Sequence, residues 1–212
     1  MIVSEKINSY IEHLVPERDS LLMRLEKEAH AEKIPIIQLP SIQLIRTLLL
    51  THRPKSILEV GTAIGYSTIW LAQAAPEAKI VTMEIDPDRI QRALTNFEAA
   101  GVSQRVELVA GDAGEGLSSR YRFDCLFLDA AKGQYKHYLD LYLPHLEPGG
   151  VVICDNILFK GLVAEEHIEN KRWAPMVKKL QDFNAYLMNH PDLDTSMIPI
   201  GDGLTFSIKK GE

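Results

Sequence analysis

The chain has 212 residues, 46% of them hydrophobic and 25% charged, with 13 glycines, 11 prolines and a formal net charge of −6. At roughly 150 residues per domain this is one well-stocked core, and the composition excludes a collagenous, low-complexity or wholly disordered chain. An acidic balance, with an isoelectric point near 5.7, argues against coating nucleic acid through bulk charge and still allows a local basic patch.

The first twenty residues carry Glu5, Lys6, Glu12, Glu17, Arg18 and Asp19, which leaves no uninterrupted apolar leader. From Val3 to Lys33 the pattern is helical, with Leu22, Leu25 and Ala29 recurring at three- and four-residue spacing among charges. After Pro35 and Pro40, a second stripe of Ile42, Ile45, Leu48 and Leu49 predicts a helix ending before Pro54. Residues 1–53 therefore read as a helical appendage. From 54 to 212 strand and helix patterns alternate.

The runs 56–60, 79–84, 105–110, 123–129 and 150–155 each read as a buried strand, and helical patterns separate them at about 66–75, 87–101, 113–119 and 134–146. Strands apolar on both faces, interleaved with helices, predict a mostly parallel, doubly wound α/β sheet of the Rossmann-like kind. A charged stretch to Arg172, a helix to about His190, and two late strands near 194–199 and 203–208 follow. The Gly201-Asp202-Gly203 turn joins those two strands as an antiparallel hairpin at the sheet edge, for seven strands in one domain spanning 1–212. No run approaches the roughly 20 apolar residues that a membrane span needs. Cys125 and Cys154, with no Cys-x-x-Cys pair, read as core thiols in a reducing compartment, so a cytoplasmic location is expected.

In such a sheet ligands lie beyond the carboxyl ends of the strands. The first strand runs into Glu59-Val-Gly61-Thr-Ala-Ile-Gly65-Tyr-Ser67, a glycine-bearing turn that opens a helix. Gly61 and Gly65 allow close approach of a ligand, and Ser67 can donate a hydrogen bond. A G-x-G-x-x-G fingerprint is absent, and Glu59 would repel a pyrophosphate. Glu84 ends the second strand nineteen residues past Gly65, placed to accept both ribose hydroxyls, and Gly111-Asp112-Ala113 follows the third strand, placed to bracket an adenine. One such glycine turn is common in proteins without a cofactor. Together with Glu84 and Asp112 it points to an adenosine bearing a charged amino acid, S-adenosylmethionine.

Asp129 closes the fourth strand, and Asp155 with Asn156 closes the fifth. Two carboxylates and an amide oxygen on adjacent strand ends form a hard donor set that suits Mg²⁺ or a similar divalent cation. Taken alone, Asp155-Asn156 is equally a turn or a helix cap. No His pair at i, i+4 and no His-Glu-x-x-His motif supports zinc among the seven histidines. Lys132, three residues after Asp129, could take a proton from a hydroxyl that the cation has acidified, although a surface lysine is more often a solubilising charge.

LEVGTAIGYS, MEIDP, the run from Asp129 to Tyr135 and Cys-Asp155-Asn156 together resemble the cation-dependent O-methyltransferases related to catechol and caffeoyl-CoA O-methyltransferases, over nearly all of the chain from about Ile37 onward. The resemblance implies Asp129, Asp155 and Asn156 as metal ligands and Lys132 as the base. It implies Glu59, Gly61, Ser67, Glu84, Asp112, Ala113 and Asp129 around the cofactor, with Ile37 touching its methionine part. Within the family the chain is similar to the short bacterial members, which include enzymes that methylate 5-hydroxyuridine at the tRNA anticodon wobble position to 5-methoxyuridine, and a homodimer is expected. Ala131 departs from many plant and animal members, which carry a polar or bulky residue there, and this speaks against a small phenol.

Such an acceptor must offer vicinal oxygens, as 5-hydroxyuridine and catechols both do. Ile157 to Trp173 can form its lid, with Lys160, His167, Lys171, Arg172, Lys178 and Lys179 adding positive charge and Phe159 or Trp173 stacking on a base. Equally, Lys178 and Lys179 read as a solvated helix face and Trp173 as a core anchor. A module that only senses S-adenosylmethionine would need neither the metal residues nor Lys132, and a dehydrogenase would need the third glycine.

Overall fold

The computed structural model describes residues 5–211, so Val3 and Ser4 of the first expected helical segment lie outside the described residues. Two helices, α1 (Glu5–Leu14) and α2 (Ser20–Glu32), stand where one continuous segment was expected. Pro16 lies between them, lacking an N–H and disfavouring helical backbone at Val15, and Asp19 restarts the helix by accepting the Leu22 N–H at 2.9 Å. Helix α3 (Leu39–His52) has Pro40 in its first turn and stops before Pro54, as its pattern predicts. The appendage reading is corrected for α2 and α3. Leu22, Leu25, Ile42, Ile45 and Leu49 are buried in the same core as Ile57, Phe127 and Ile153 of the sheet, because one sheet face would otherwise lie open to water.

Strands β1 (Ser56–Val60), β2 (Lys79–Glu84), β3 (Val106–Ala110), β4 (Phe123–Leu128), β5 (Leu146–Cys154), β6 (Leu193–Ile198) and β7 (Leu204–Lys209) form one sheet in the order β3-β2-β1-β4-β5-β7-β6. The first five are parallel, and β7 is antiparallel to both β5 and β6. Helices α4 (Tyr66–Ala74) and α5 (Pro87–Ala99) lie on the α2–α3 side, and α6 (Tyr135–Tyr142) and α7 (Ala174–Met188) cover the other face. Alternation along the strands sorts the side chains: Ile57, Cys125, Phe127, Val151 and Ile153 enter the first core, and Leu58, Leu126, Leu128, Val152 and Cys154 the second. This is the doubly wound, mostly parallel seven-stranded sheet with a C-terminal antiparallel hairpin that the pattern predicts.

Several details differ from the sequence expectation. β3 is an outer strand whose residues are only half-buried or exposed, so it is not covered on both faces. The helix expected over 113–119 is a single 3₁₀ turn, Ala113–Glu115, because Gly114 and Gly116 favour a bend and Gly116 takes a φ of 80°. β5 begins at Leu146, earlier than expected. In the late hairpin the chain goes first to the edge as β6 and returns as β7 between β6 and β5.

The strand order reverses between β1 and β4, which opens a crevice at their carboxyl ends. The segments after β1 and β4 leave the sheet in contact there: Gly61 adopts φ 107°, and a Cβ at that position would collide with the Asp129 carbonyl. Only glycine permits this approach.

Candidate active site

The crevice is a cavity of about 380 Å³ built from five strand ends. Gly61 to Ala63 and Ser67 enter it after β1, Glu84 and Ile85 at β2, Gly111 to Ala113 after β3, and Asp129 to Lys132 after β4. Pro35 to Ile37, preceding α3, form a further wall, and Asn156 after β5 closes one end. Of the expected site residues, Ile37, Gly61, Ser67, Glu84, Asp112, Ala113, Asp129, Lys132 and Asn156 thus line one cavity. Glu59 and Asp155 do not reach its wall. Ile36, Ala63, Ile85, Arg89 and Tyr138 line it without having been singled out. Ala63 and Ile85 adjoin motifs that were, so their position at strand ends was the available clue. Arg89 and Tyr138 come from helices, where no sequence pattern marks a cavity wall.

Glu59 was expected to face the cofactor and instead lies beneath the turn, fully buried. Its carboxylate accepts hydrogen bonds from Ser67 Oγ at 2.5 Å and Thr82 Oγ1 at 2.6 Å, and from Thr68 Oγ1. Burial requires such partners for an acid, and three hydroxyls from α4 and β2 supply them. The Ser67 hydroxyl is therefore already donating, and offers a ligand its lone pairs rather than its proton. Desolvation pushes the Glu59 carboxyl up to about 7, against the pull of the three hydroxyls. The folded chain then holds this proton more tightly than the unfolded chain, whose value is near 4.5. Between those two pH values stability falls as pH rises. In denaturant titrations Glu59→Gln should abolish that part of the pH dependence, worth at most about 3 kcal/mol between pH 4.5 and 7. Parallel curves for the two proteins would contradict the assignment.

Glu84 lines the cavity and also holds backbone in place. One oxygen accepts the Ala63 N–H at 2.8 Å, and the other accepts the N–H groups of Ile85 and Asp86, each at 3.0 Å. It thus fastens the turn after β1 to the end of β2, leaving only part of its acceptor capacity for a ribose. Asp112 likewise lines the cavity while accepting the Gly114 N–H at 2.8 Å.

At the opposite end, Asp155 is 1% exposed. Its Oδ2 accepts the Asn156 side-chain N–H at 3.1 Å, but its Oδ1 is buried with no hydrogen-bond partner among the described residues. Asp155 caps no helix among the described residues, and the neighbouring Asn156 takes a φ of 59°, as a turn residue does. Burial first, and then the neighbouring Asp129, hold the Asp155 carboxyl well above the usual carboxylate range. Asp129 is raised by burial too, with the charge of Lys132 opposing the shift. Two acids crowded together, one with an orphaned oxygen, are a pair that a cation would satisfy. Because the Asn156 amide nitrogen is committed to Asp155, its oxygen is the atom left for a ligand. Oxygen donors of this kind fit a hard divalent ion. Among the described residues no group of three or more His, Cys, Asp or Glu side chains is placed to hold a metal ion.

Beyond Asn156, Phe159 and Trp173 pack edge to face with ring centroids 5.8 Å apart, and Lys160 Nζ lies 5.4 Å from the Trp173 ring. Trp173 is 38% exposed, which corrects the core-anchor reading. Lys178 pairs with Asp182 at 2.6 Å on the exposed face of α7, as a solvated helix face does. Glu165, Glu166 and Glu169 are exposed among the basic residues of this segment. No helix among the described residues is long and apolar enough to cross a membrane.

Comparison with known proteins gives a consistent result. The family profile described as O-methyltransferase matches residues 12–210. A catechol O-methyltransferase of Niastella koreensis is 29% identical over 221 residues, covering 98% of each chain. A caffeoyl-CoA O-methyltransferase of Stellaria longipes is 28% identical over 223 residues, covering 97% of this chain and 91% of its own. The structure of an O-methyltransferase of Bacillus cereus in complex with SAH superposes with a TM-score of 0.83 at 26% identity, covering 97% of both chains.

Proposed function

Because the chain belongs to the O-methyltransferase family and is an S-adenosylmethionine-dependent enzyme of the catechol and caffeoyl-CoA kind, we propose that it methylates one of two vicinal oxygens with the help of a divalent cation such as Mg²⁺. The buried, unpartnered Oδ1 of Asp155 beside Asp129 carries this reading. In it, S-adenosylmethionine supplies the methyl group, and the cation makes the acceptor hydroxyl more acidic.

The chain's own residues do the rest. Asp129, Asp155 and Asn156 hold the cation, and Lys132 Nζ takes the acceptor's proton. Gly61 and the Glu84-fastened turn keep the backbone close to the cofactor, Asp112 and Ala113 flank its adenine, and Ile36 and Ile37 exclude water from its methionine end. Glu59 acts from beneath by orienting Ser67. Residues 1–212 work as one unit in this reading, since α2 and α3 share the core of the sheet.

The acceptor we propose is 5-hydroxyuridine at a tRNA wobble position, whose 5-hydroxyl and 4-carbonyl are vicinal and which would be converted to 5-methoxyuridine. Exposed Lys160, Lys171 and Arg172 beside the Phe159–Trp173 pair support it, offering phosphate contacts next to an aromatic platform. This acceptor carries with it a cytoplasmic location. A homodimer is part of the same reading, with exposed Tyr10, Leu14 and Leu50 as apolar contact area. A small catechol-like acceptor is the second reading, favoured by the names of the relatives and by the three glutamates interleaved with the basic residues.

Transfer of label from S-adenosylmethionine into 5-hydroxyuridine-containing tRNA and into free catechol, with and without Mg²⁺, separates the two. If tRNA is the acceptor, replacing both Lys171 and Arg172 with alanine should raise its KM and lower the slope of log affinity against log salt by about 2, one unit for each phosphate that is no longer neutralised. Catechol methylation should hardly change. Equal loss on both acceptors would assign this segment to the lid, and tRNA methylation indifferent to both salt and the double replacement would remove the basic residues from recognition.

A further inference from the structure

The Gly201-Asp202-Gly203 turn has so far served only to join β6 to β7, yet its contacts run to the segment that follows the cation-site residues. Ile157 N–H donates to the Gly203 carbonyl at 3.1 Å, Leu158 N–H to the Asp202 carbonyl at 3.0 Å, and Lys160 N–H to Asp202 Oδ1 at 2.7 Å. The first two bonds use main chain alone and need no particular residue at 202. The third needs a side-chain oxygen there.

Its consequence lies in the backbone. Phe159 and Lys160 take φ values of 39° and 58°, the left-handed region that side-chain-bearing residues rarely adopt. Such a turn persists only where its surroundings hold it. Asp202 holds it at Lys160 itself, and Gly203, where a Cβ would collide with Leu158, lets the turn come this close. The left-handed turn reverses the chain so that the Phe159 ring meets Trp173 and the Lys160 ammonium lies over the indole. Resting on the reading above that this segment walls the acceptor site, we infer that Asp202 is the positioning residue of that wall, fixing Phe159, Lys160 and Trp173 in place through its bond to the Lys160 N–H.

A rival role exists, because Asp202 lies near enough to Asp155 for their charges to repel. Asp202→Asn separates the two, since it keeps an acceptor oxygen for Lys160 and removes the charge. Asp202→Ala removes both. Trp173 gives a direct readout, as the other tryptophan, Trp70, is only 5% exposed and contributes little to quenching by acrylamide.

Three measurements on the full chain test the inference: acceptor KM with 5-hydroxyuridine-containing tRNA and with free catechol, SAH affinity by calorimetry, and acrylamide quenching of tryptophan emission. Asp202→Ala is expected to raise the KM of the methylated acceptor about tenfold and to increase quenching, with SAH affinity unchanged, whereas Asp202→Asn stays within about twofold of the unaltered chain in all three. Asp202→Ser, whose oxygen reaches less far, replaces alanine if that variant does not fold. Damage in Asp202→Asn equal to that in Asp202→Ala would overturn the inference in favour of the charge role. Weakened SAH binding alongside raised KM would overturn it as general loosening. Unchanged quenching would show that Asp202 holds nothing. Increased quenching with an unchanged KM would also overturn it, by showing that the wall Asp202 holds does not bind the acceptor, and this outcome would count against the acceptor-wall reading while leaving the cation-dependent reaction untouched.

Discussion

Replacing Asp155 with alanine is expected to lower the methyl-transfer rate by about three orders of magnitude, or ~4 kcal/mol of transition-state stabilisation, while leaving cofactor affinity within a fewfold of its original value. Asp155 is buried and does not line the cavity that Ser67, Glu84 and Asp112 enter, so its loss leaves every group facing an adenosine or a methionine moiety in place. Nor should the fold suffer. Among the described residues the side chain bonds only to its neighbour Asn156 and its Oδ1 has no partner, and burial and Asp129 both disfavour its charge, so removing it relieves an unfavourable pair. Tyr135, which donates to the Asp155 main-chain carbonyl at 2.9 Å, keeps that bond. Turnover under saturating acceptor across a Mg²⁺ titration, with SAH calorimetry beside it, measures the two effects separately. Full activity of the variant, or of the unaltered chain in excess chelator, would remove the cation from the mechanism.

Lys132→Ala should cost about 10²- to 10⁴-fold in turnover, the usual contribution of a positioned base. Lys132 lines the cavity one short turn beyond Asp129, and its charge also opposes the rise in the Asp129 and Asp155 carboxyls. Losing it therefore has two consequences, a missing proton acceptor and a missing positive charge beside Asp129 and Asp155. Lys132→Arg tells them apart. It keeps the positive charge but cannot give up a proton in a protein, so a base role predicts that arginine is as slow as alanine at saturating Mg²⁺. The residual rate of both variants should climb with pH as solvent takes over removal of the acceptor's proton. Arginine restoring most of the rate would reassign Lys132 to electrostatic support of Asp129 and Asp155.

Much of this arrangement is legible in the amino-acid order because it depends on local periodicity. Strands such as Ser56–Val60 and Phe123–Leu128 announce themselves as short apolar runs, and the parallel sheet follows from helices between them. The sheet then dictates that Gly61, Glu84, Asp112 and Asp129, each at a strand end, converge on one crevice. The Lys178–Asp182 pair is likewise local, four residues apart on one helix.

What periodicity does not encode is which neighbour each polar group meets. Glu59 stands at a strand end like Glu84, yet it is sealed under α4 by Ser67, Thr68 and Thr82, whereas Glu84 reaches the cavity. The helical stripes of α2 and α3 have the same form on an appendage as in a core, and only the uncovered face of the sheet decides for the core. Trp173 has the composition of an anchor, yet it is 38% exposed and packs edge to face on Phe159, a partner from outside its own helix. The elements, their order and the strand ends that carry chemistry are set by residue order, since backbone hydrogen bonding and alternation act over a few residues. Which carboxylates are satisfied and which, like Asp155, keep an oxygen without a partner among the described residues emerges in three dimensions, since satisfaction in a low-dielectric interior depends on groups brought together from distant parts of the chain.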